Sequence, residues 1–334
     1  MDFLSLIDPK PTTLTILPTH KCTASCHQCC FGCTPQIEHT MPYEEVVYHI
    51  DKALENFPSL IVLVLTGGEC FTLGENLDKI VRHASNKGLK TRVVTNAYWA
   101  NTYDNAYERL FSLKDNGLCE FNVSTGDNHQ KFVPFDNVVN AVVSAINVGI
   151  TPVLIALESH DEANFTEQDI KQHPSLSELC ADDKVKITNG VWIKFREGKG
   201  VELKNHDYAR RCTSLFNTIV VNPYSQLLAC CGLIVEHNEY LKLGNALTNP
   251  IKKLYESQFD DIFKIWLYTH GPKYIYDTVQ QIRGKEAQRF AHICLYCAKI
   301  VQDEENIRIL QKIIASKIPD ILYRLSLINR KIVN

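Results

Sequence analysis

The feature that most limits the fold of this chain is an alternation of short apolar runs with longer amphipathic segments over residues 12–195. Runs such as LIVLVLTGG and KTRVVTNA are each followed by a segment of helical length, such as ENLDKIVRHASNKG. Six such β–α steps predict a parallel sheet flanked by helices, because parallel strands need long crossover connections. Right-handed crossovers would curl this sheet into a closed or partial barrel, with ligands at the carboxyl ends of the strands. We therefore predict an α/β fold.

The alternation ends near Phe195, and the remaining sequence has a different pattern. Two β-like runs flank a Pro-Tyr-Ser turn in NTIVVNPYSQLLACC, and we expect mostly helical sequence from there to the end. Within the first part, we expect one helix around residues 165–179. We predict two domains: a barrel domain over residues 1–204 and a smaller, cysteine-bearing extension over residues 205–334.

Charge and hydropathy exclude two classes of partner. A net charge of -3 and a pI near 6.5 provide no basic surface for nucleic acid. The N-terminus lacks a signal-peptide pattern and no apolar run approaches the length of a membrane span, so we expect a cytoplasmic protein without a membrane partner.

Cysteine is unusually frequent for that compartment, with 13 residues in the chain. A reducing cytoplasm disfavours structural disulfides, so metal or redox chemistry explains the count better. The cysteines also cluster in two regions, which predicts two metal centres: Cys22, Cys26, Cys29, Cys30 and Cys33 near the start, and Cys212, Cys230, Cys231, Cys294 and Cys297 in the last third.

The first cluster, THKCTASCHQCC, places a CxxxCxxC motif directly after the first predicted strand. Cys22, Cys26 and Cys29 could converge there on one [4Fe-4S] cluster and leave the fourth iron open to a substrate. A zinc site is also compatible with the spacing, because Cys26/Cys29 and Cys30/Cys33 are both CxxC pairs.

CxxxCxxC in the first loop, followed by LTGGE after the second strand, resembles the signature of the radical S-adenosylmethionine (SAM) superfamily over about residues 12–200. The resemblance implies a partial (β/α)6 barrel in which the open iron chelates SAM, and Gly67, Gly68 and Glu69 receive its amino group. Polar residues at later strand ends are further candidate SAM contacts: Asn96, Ser124, Asp127 and Lys194. The family usually has an aromatic residue immediately before the third cysteine, where this chain has Gln28.

The later cysteines resemble the shortened auxiliary-cluster extension, or twitch domain, of radical SAM peptide-modifying enzymes. The resemblance implies a second [4Fe-4S] cluster held by Cys212, Cys230, Cys294 and Cys297, and a structural zinc site with the same ligands is the alternative. Cys231 is not among these four implied ligands. Adjacent side chains of a strand point to opposite faces, so Cys231 should face away from the cluster, as a hydrogen-atom donor or as a small packing residue.

The segments CTASCHQCCFGCTP, LTGGE, TNAYW, LLACCG and ICLYC resemble, in order and spacing, the peptide epimerases that make epipeptides. That resemblance implies that a 5′-deoxyadenosyl radical removes a Cα hydrogen from a ribosomally synthesised precursor peptide. Cys231 would then donate hydrogen from the opposite face, which gives a D-residue. The implied partners are the peptide, SAM and an electron donor such as flavodoxin or ferredoxin. Two alternatives are a radical SAM maturase that forms C–S or C–C crosslinks, and a non-catalytic zinc or electron-transfer protein.

Overall fold

The structure is a computed structural model that describes residues 10–159, 163–191, 209–290 and 292–332. The described residues divide into two compact units. The first unit comprises the described residues of 12–191 together with Val221–Tyr224. The second comprises residues 10–11, 209–220 and 225–332.

Six parallel strands form the sheet of the first unit, in the order β6-β5-β4-β3-β2-β1. The strands are β1 (Thr13–Ile16), β2 (Val62–Leu65), β3 (Lys90–Thr95), β4 (Leu118–Thr125), β5 (Val153–Glu158) and β6 (Val185–Gly190). β1 and β6 lie at opposite ends of this order, so the six strands do not close on one another. The predicted α/β fold is confirmed, in the form of a partial barrel.

The helices of the first unit follow the strands along the chain, as the sequence predicted. They are α1 (Tyr43–Asn56), α2 (Glu75–Asn86), α3 (Tyr103–Asp115), α4 (Phe135–Asn147), α5 (Glu167–Gln172) and α6 (Ser177–Ala181). Each long helix buries one face; in α2 the buried positions are Leu77, Ile80, Val81 and Ala84, spaced as one stripe of a helix. The strands and these stripes form the core, which leaves the loops after the strands free to carry polar residues.

The single helix predicted around residues 165–179 is wrong in detail. The structure has two short helices there, α5 and α6, and His173 between them is extended, with φ -65° and ψ 129°. His173 precedes Pro174, and a proline disfavours helical backbone at the residue before it.

The second unit combines three short strands with helices. The strands are β7 (Thr218–Val221), β8 (Gln226–Leu228) and β9 (Lys242–Asn245), adjacent in that order, with β8 and β9 antiparallel. The helices are α7 (Ile251–Glu256), α8 (Ile262–His270), α9 (Pro272–Ile282), α10 (Ile293–Gln302) and α11 (Glu304–Ile332). The expectation of helical sequence after the hairpin missed β9, whose four residues include a glycine and show no alternating pattern.

None of the helices described in the structure is both long and apolar enough to cross a membrane.

Candidate functional site

The first candidate site is the loop of residues 22–33 between β1 and α1, referred to below as the cysteine loop. Its backbone is held by hydrogen bonds from the Cys22 N–H to the Thr34 carbonyl (3.2 Å) and from the Cys29 N–H to the Cys26 carbonyl (3.0 Å). Cys22, Cys26 and Cys29 are half-buried, and the charge of each thiolate would act on the others. The three predicted iron ligands are therefore neighbours in the structure.

The thiols of the cysteine loop differ in their readiness to ionise. Burial raises the pKa of Cys22 to about 11, and burial, followed by the charges of Cys29, Cys22 and Glu158, raises that of Cys26 to about 12. A hydrogen bond from the Cys33 side chain, helped by the Cys33 N–H at 3.4 Å from the Cys29 sulfur, lowers the pKa of Cys29 to about 6. Because iron binds thiolates, loading of this site must release protons from Cys22 and Cys26.

The loop that follows β2 lies directly against the cysteine loop and its N-terminal flank. The Gly68 N–H donates to the Thr19 carbonyl, and the Glu69 N–H donates to the Lys21 carbonyl, both at 2.8 Å. A Cβ atom on Gly67, which has φ +115°, would lie 2.5 Å from the Thr19 oxygen, and one on Gly68 would lie 2.0 Å from the Lys21 oxygen. This close approach requires glycine at both positions.

The Glu69 carboxylate is fully buried and is held by three donors of the first unit. It accepts hydrogen bonds from the Phe71 N–H (3.0 Å), the Thr95 hydroxyl (2.8 Å) and the Asn96 N–H (2.7 Å). Burial raises its pKa to about 7. Glu69 thus joins the loop after β2 to the end of β3. Its predicted contact with SAM, like those of Gly67 and Gly68, stays a prediction.

The other predicted SAM contacts have different surroundings. The Asn96 side-chain amide donates to Thr23 (3.1 Å) and to the Cys22 sulfur (3.6 Å), so Asn96 borders the cysteine loop. Ser124 is half-buried near the end of β4. The Asp127 carboxylate accepts hydrogen bonds from the backbone N–H groups of residues 164 and 165. Lys194 lies outside the described residues.

Sequence reasoning missed two buried polar residues beside the cysteine loop, Asn128 and Glu158. Asn128 follows the predicted candidate Asp127, and Glu158 is the last residue of β5. A carboxylate at the carboxyl end of a buried strand is the signal that could have identified Glu158, since ligands bind at that edge of parallel sheets.

The second candidate site is a cavity of about 480 Å³ within the second unit, referred to below as the cysteine cavity. Five cysteines line it: Cys212, Cys230, Cys231, Cys294 and Cys297. A Cβ atom on Gly232 would lie 3.2 Å from the Cys294 sulfur and 3.3 Å from the Cys230 sulfur, so these two sulfurs flank the same backbone position. The structure therefore brings the four predicted auxiliary ligands and Cys231 to one cavity.

The five thiols of the cysteine cavity have distinct environments. Cys230 and Cys297 are buried, Cys212 and Cys294 are half-buried, and Cys231 is exposed. Burial, aided by the neighbouring thiols, raises the pKa of the four less exposed cysteines, that of Cys294 to about 12. As in the cysteine loop, these groups bind a metal only by losing protons.

Two consecutive arginines contribute positive charge to the lining of the cysteine cavity. Arg210 and Arg211 line it, and none of its described lining residues is acidic. The Arg211 guanidinium lies 5.0 Å from the centre of the Tyr268 ring, and its buried Nη1 has no hydrogen-bond acceptor among the residues that the structure describes. A cationic lining suits a centre whose ligands are thiolates, because four thiolates carry more negative charge than the cluster core neutralises.

Within the described ranges, no three His, Cys, Asp or Glu side chains are arranged as ligands of one metal ion. A four-iron cluster does not require that arrangement, because its cysteines bind separate irons. The cysteine loop, with three neighbouring thiols, and the cysteine cavity, with four, have the donor chemistry of two such clusters.

Three similarities to known proteins bear on these sites. Residues 16–157 match the family model described as the Radical SAM superfamily. The chain is 22% identical over 311 residues to YydG of Bacillus subtilis (strain 168), a protein whose name assigns it to peptide biosynthesis; the alignment covers 88% of this chain and 93% of YydG. The structure of histidine-tagged anSMEcpe with bound AdoMet shares the fold, with a TM-score of 0.50 and 14% identity over 92% of this chain and 99% of that one.

Proposed function

Because residues 16–157 of this chain form a radical SAM domain, we propose that the protein is a radical SAM enzyme that converts L-residues of a ribosomally synthesised peptide into D-residues. The domain match confirms the resemblance inferred from CxxxCxxC and LTGGE. The similarity to YydG supports a peptide substrate. The observation that carries the proposal of epimerisation is an exposed fifth thiol, Cys231, in a cavity with four more protected cysteines.

The two candidate sites would supply different parts of the reaction. Cys22, Cys26 and Cys29 would hold the [4Fe-4S] cluster that, with SAM and one electron, supplies a 5′-deoxyadenosyl radical. In the second unit, Cys212, Cys230, Cys294 and Cys297 would hold an auxiliary [4Fe-4S] cluster, in an extension that we propose begins near residue 205. We propose that the electron comes from a flavodoxin or ferredoxin.

Cys231 is the residue that we propose completes epimerisation. Removal of a Cα hydrogen leaves a planar carbon radical on the peptide and converts the adenosyl radical into 5′-deoxyadenosine. The Cys231 Sγ–H then gives its hydrogen atom to the opposite face of that carbon, and the sulfur is left as a thiyl radical. One electron and one proton restore the thiol, so each turnover needs an electron beyond the one that cleaves SAM.

The surroundings of Cys231 support this role. Cys230 and Cys231 lie after the end of β8, so the alternation of a strand that the sequence suggested does not apply to them. Cys230 is nevertheless only 6% exposed, whereas Cys231 is exposed and accessible to a substrate. Both line the same cavity, so Cys231 lies beside the proposed auxiliary cluster.

Substitution of Cys231 tests the proposal, with Cys180→Ala as the matched control because Cys180 is half-buried on α6. A candidate precursor peptide encoded beside the gene is incubated anaerobically in D2O with SAM, a reductant and the reconstituted enzyme. We expect the native protein and Cys180→Ala to produce a one-dalton gain located on a D-residue. Cys231→Ala should still cleave SAM but should form no D-residue.

Two other outcomes would contradict epimerisation through Cys231. Full D-residue formation by Cys231→Ala would remove this thiol from the reaction. A loss of two daltons by the peptide would indicate a crosslink, and Cys231 would then be a packing residue. Reconstituted native protein that cannot cleave SAM under reduction would refute radical chemistry altogether.

A further inference from the structure

A buried hydrogen-bonded pair joins the ends of β4 and β5 beside the cysteine loop. Glu158 is 1% exposed and Asn128 is 7% exposed. The Asn128 N–H donates to Glu158 Oε2 at 3.0 Å, and the Asn128 side-chain amide donates to Glu158 Oε1. Gly126 admits this approach, because a Cβ atom there would lie 2.4 Å from the Glu158 Cβ. The pair therefore depends on how closely the backbone at the end of β4 approaches the end of β5.

Asn128 also holds the cysteine loop. Its side-chain amide donates to Gln28 Oε1 at 2.9 Å, and its carbonyl oxygen lies 3.7 Å from the Cys26 sulfur, which donates to it. Its remaining acceptor, Oδ1, receives a hydrogen bond from Lys131 at 3.1 Å. Since Gln28 and Cys26 belong to the CxxxCxxC segment, Asn128 connects that segment to Glu158.

Glu158 brings a carboxylate to this position. Among the described residues no cation forms an ion pair with it, and both its oxygens accept from Asn128. Burying a carboxylate is expensive, so a structural purpose alone would be served better by a neutral pair.

We infer that Asn128 and Glu158 are positioning residues for the cluster that Cys22, Cys26 and Cys29 would hold. Asn128 fixes the segment from Cys26 to Gln28 on the strand ends through its hydrogen bond to Gln28, which does not depend on the proton that Cys26 loses when it binds iron. Glu158 orients Asn128, and its negative charge stabilises the oxidised cluster, which lowers the reduction potential. Partners that support metal ligands commonly have both effects, since potentials of iron–sulfur clusters depend on nearby charge and hydrogen bonds. The inference rests on the radical SAM function proposed above.

An exchange of the two groups tests the pair. Asn128→Asp places two carboxylates face to face. Glu158→Gln leaves one acceptor where Asn128 presents two donors, so Asn128 either meets a donor or rotates its amide and loses the hydrogen bond from Lys131. The double variant Asn128→Asp/Glu158→Gln keeps one carboxylate and restores the hydrogen bond with donor and acceptor exchanged. Gln28 can keep its contact with residue 128 by rotating its side-chain amide, so that Gln28 becomes the donor. Glu120→Gln, on β4 and paired with Arg92, is the matched control for removal of a carboxylate.

The measurements are iron content and an anaerobic redox titration followed by electron paramagnetic resonance (EPR), with the first cluster identified by the change that SAM causes in its signal. We expect each single variant to bind this cluster roughly 10- to 100-fold more weakly, the usual effect of losing a supporting contact. Glu158→Gln should also raise the potential, with a tenfold change in the reduction equilibrium corresponding to about 59 mV for one electron. The double variant should recover both the affinity for the cluster and the reduction potential, and Glu120→Gln should match the native protein in both.

Two results would overturn the inference while leaving the proposed function intact. One is native iron content, EPR signal and potential in both single variants. The other is a double variant no better than the worse single variant. By contrast, native protein whose EPR signal does not respond to SAM would refute the proposed function itself, and the pair would then position no SAM-binding cluster.

Discussion

Gly68→Ala should separate the cysteine loop from the sheet. The added Cβ would meet three backbone atoms, the Lys21 oxygen at 2.0 Å, the Lys21 carbonyl carbon at 2.6 Å and the His20 carbonyl carbon at 2.8 Å. Backbone cannot rotate out of the way as the end of a flexible side chain can, so the two loops must move apart. The hydrogen bonds from Gly68 to Thr19 and from Glu69 to Lys21 lie at the point of contact.

The cost can be estimated from those contacts. Overpacking of this kind costs about 1–3 kcal/mol, and the two backbone hydrogen bonds contribute about 1 kcal/mol each. The variant should therefore lose about 3–5 kcal/mol in the folded arrangement of these loops, compared with about 5–15 kcal/mol for the stability of a typical domain. We expect the fold to survive, because the cost of separating the loops is smaller than the free energy of unfolding of a typical domain. We also expect Cys22 to move away from Cys26 and Cys29.

Gly190→Ala is the control, because a Cβ atom on Gly190 meets nothing nearer than the Leu157 oxygen at 3.9 Å. Both variants are reconstituted anaerobically and compared by iron content, by the EPR change on addition of SAM, and by circular dichroism. Gly68→Ala should keep its secondary structure and lose the SAM-responsive cluster, and Gly190→Ala should retain both. A Gly68→Ala protein with native iron content and a native SAM response would refute the argument from close approach.

Three further predictions concern Glu69 and the cysteine cavity. The folded state raises the pKa of Glu69 from its usual 4.5 to about 7, so the folded protein binds a proton that the unfolded chain releases, and stability should fall as pH rises through that window. The loss of unfolding free energy is about 3 kcal/mol at most. Urea unfolding at several pH values should show this loss in the native protein but not in Glu69→Gln. The same pH dependence of the unfolding free energy in both proteins would contradict the prediction. Cys297→Ala should lose roughly half of the bound iron, because the two proposed clusters contain equal numbers of irons; unchanged iron would exclude Cys297 as a ligand. Arg211→Gln should lower the potential of the proposed auxiliary cluster in a redox titration, whereas Arg308→Gln, on the exposed face of α11, should leave it unchanged.

The sequence was sufficient for the parallel sheet because each strand of the first unit carries its own apolar signal. Local motifs were likewise sufficient to propose the cysteine loop and Gly67–Glu69 as candidate sites, since each proposal depends on a few consecutive residues. β9 and the break between α5 and α6 were missed because four residues with a glycine, and one residue before a proline, leave weak local signals.

The partners of the buried polar groups could not be predicted in this way. Asn128 and Gln28 are 100 residues apart in the sequence, and Asn128 and Glu158 are 30 apart. Their contacts arise from the order of the strands, which decides which loop lies beside which. The buried state of Glu69 has the same origin, because its acceptor oxygens are occupied by groups from β3 and the residue after it.

The contact between Cys29 and Cys33 determines how readily the cysteine loop is oxidised when it holds no iron. Without iron, Cys29 has a pKa of about 6 and is a thiolate at neutral pH, and Cys33 lies within hydrogen-bond reach of its sulfur. A thiolate beside a thiol is the pair from which an oxidant makes a disulfide. Soluble thiols reach the Cys33 sulfur poorly, because Cys33 is only 3% exposed. Attack at the Cys29 sulfur is slow for another reason, because it must expel Cys33, whose pKa is raised by its contact with Cys29 and by burial. Bound iron thus protects its own ligand, and protein that has lost iron aerobically should need prolonged reduction before it accepts iron again.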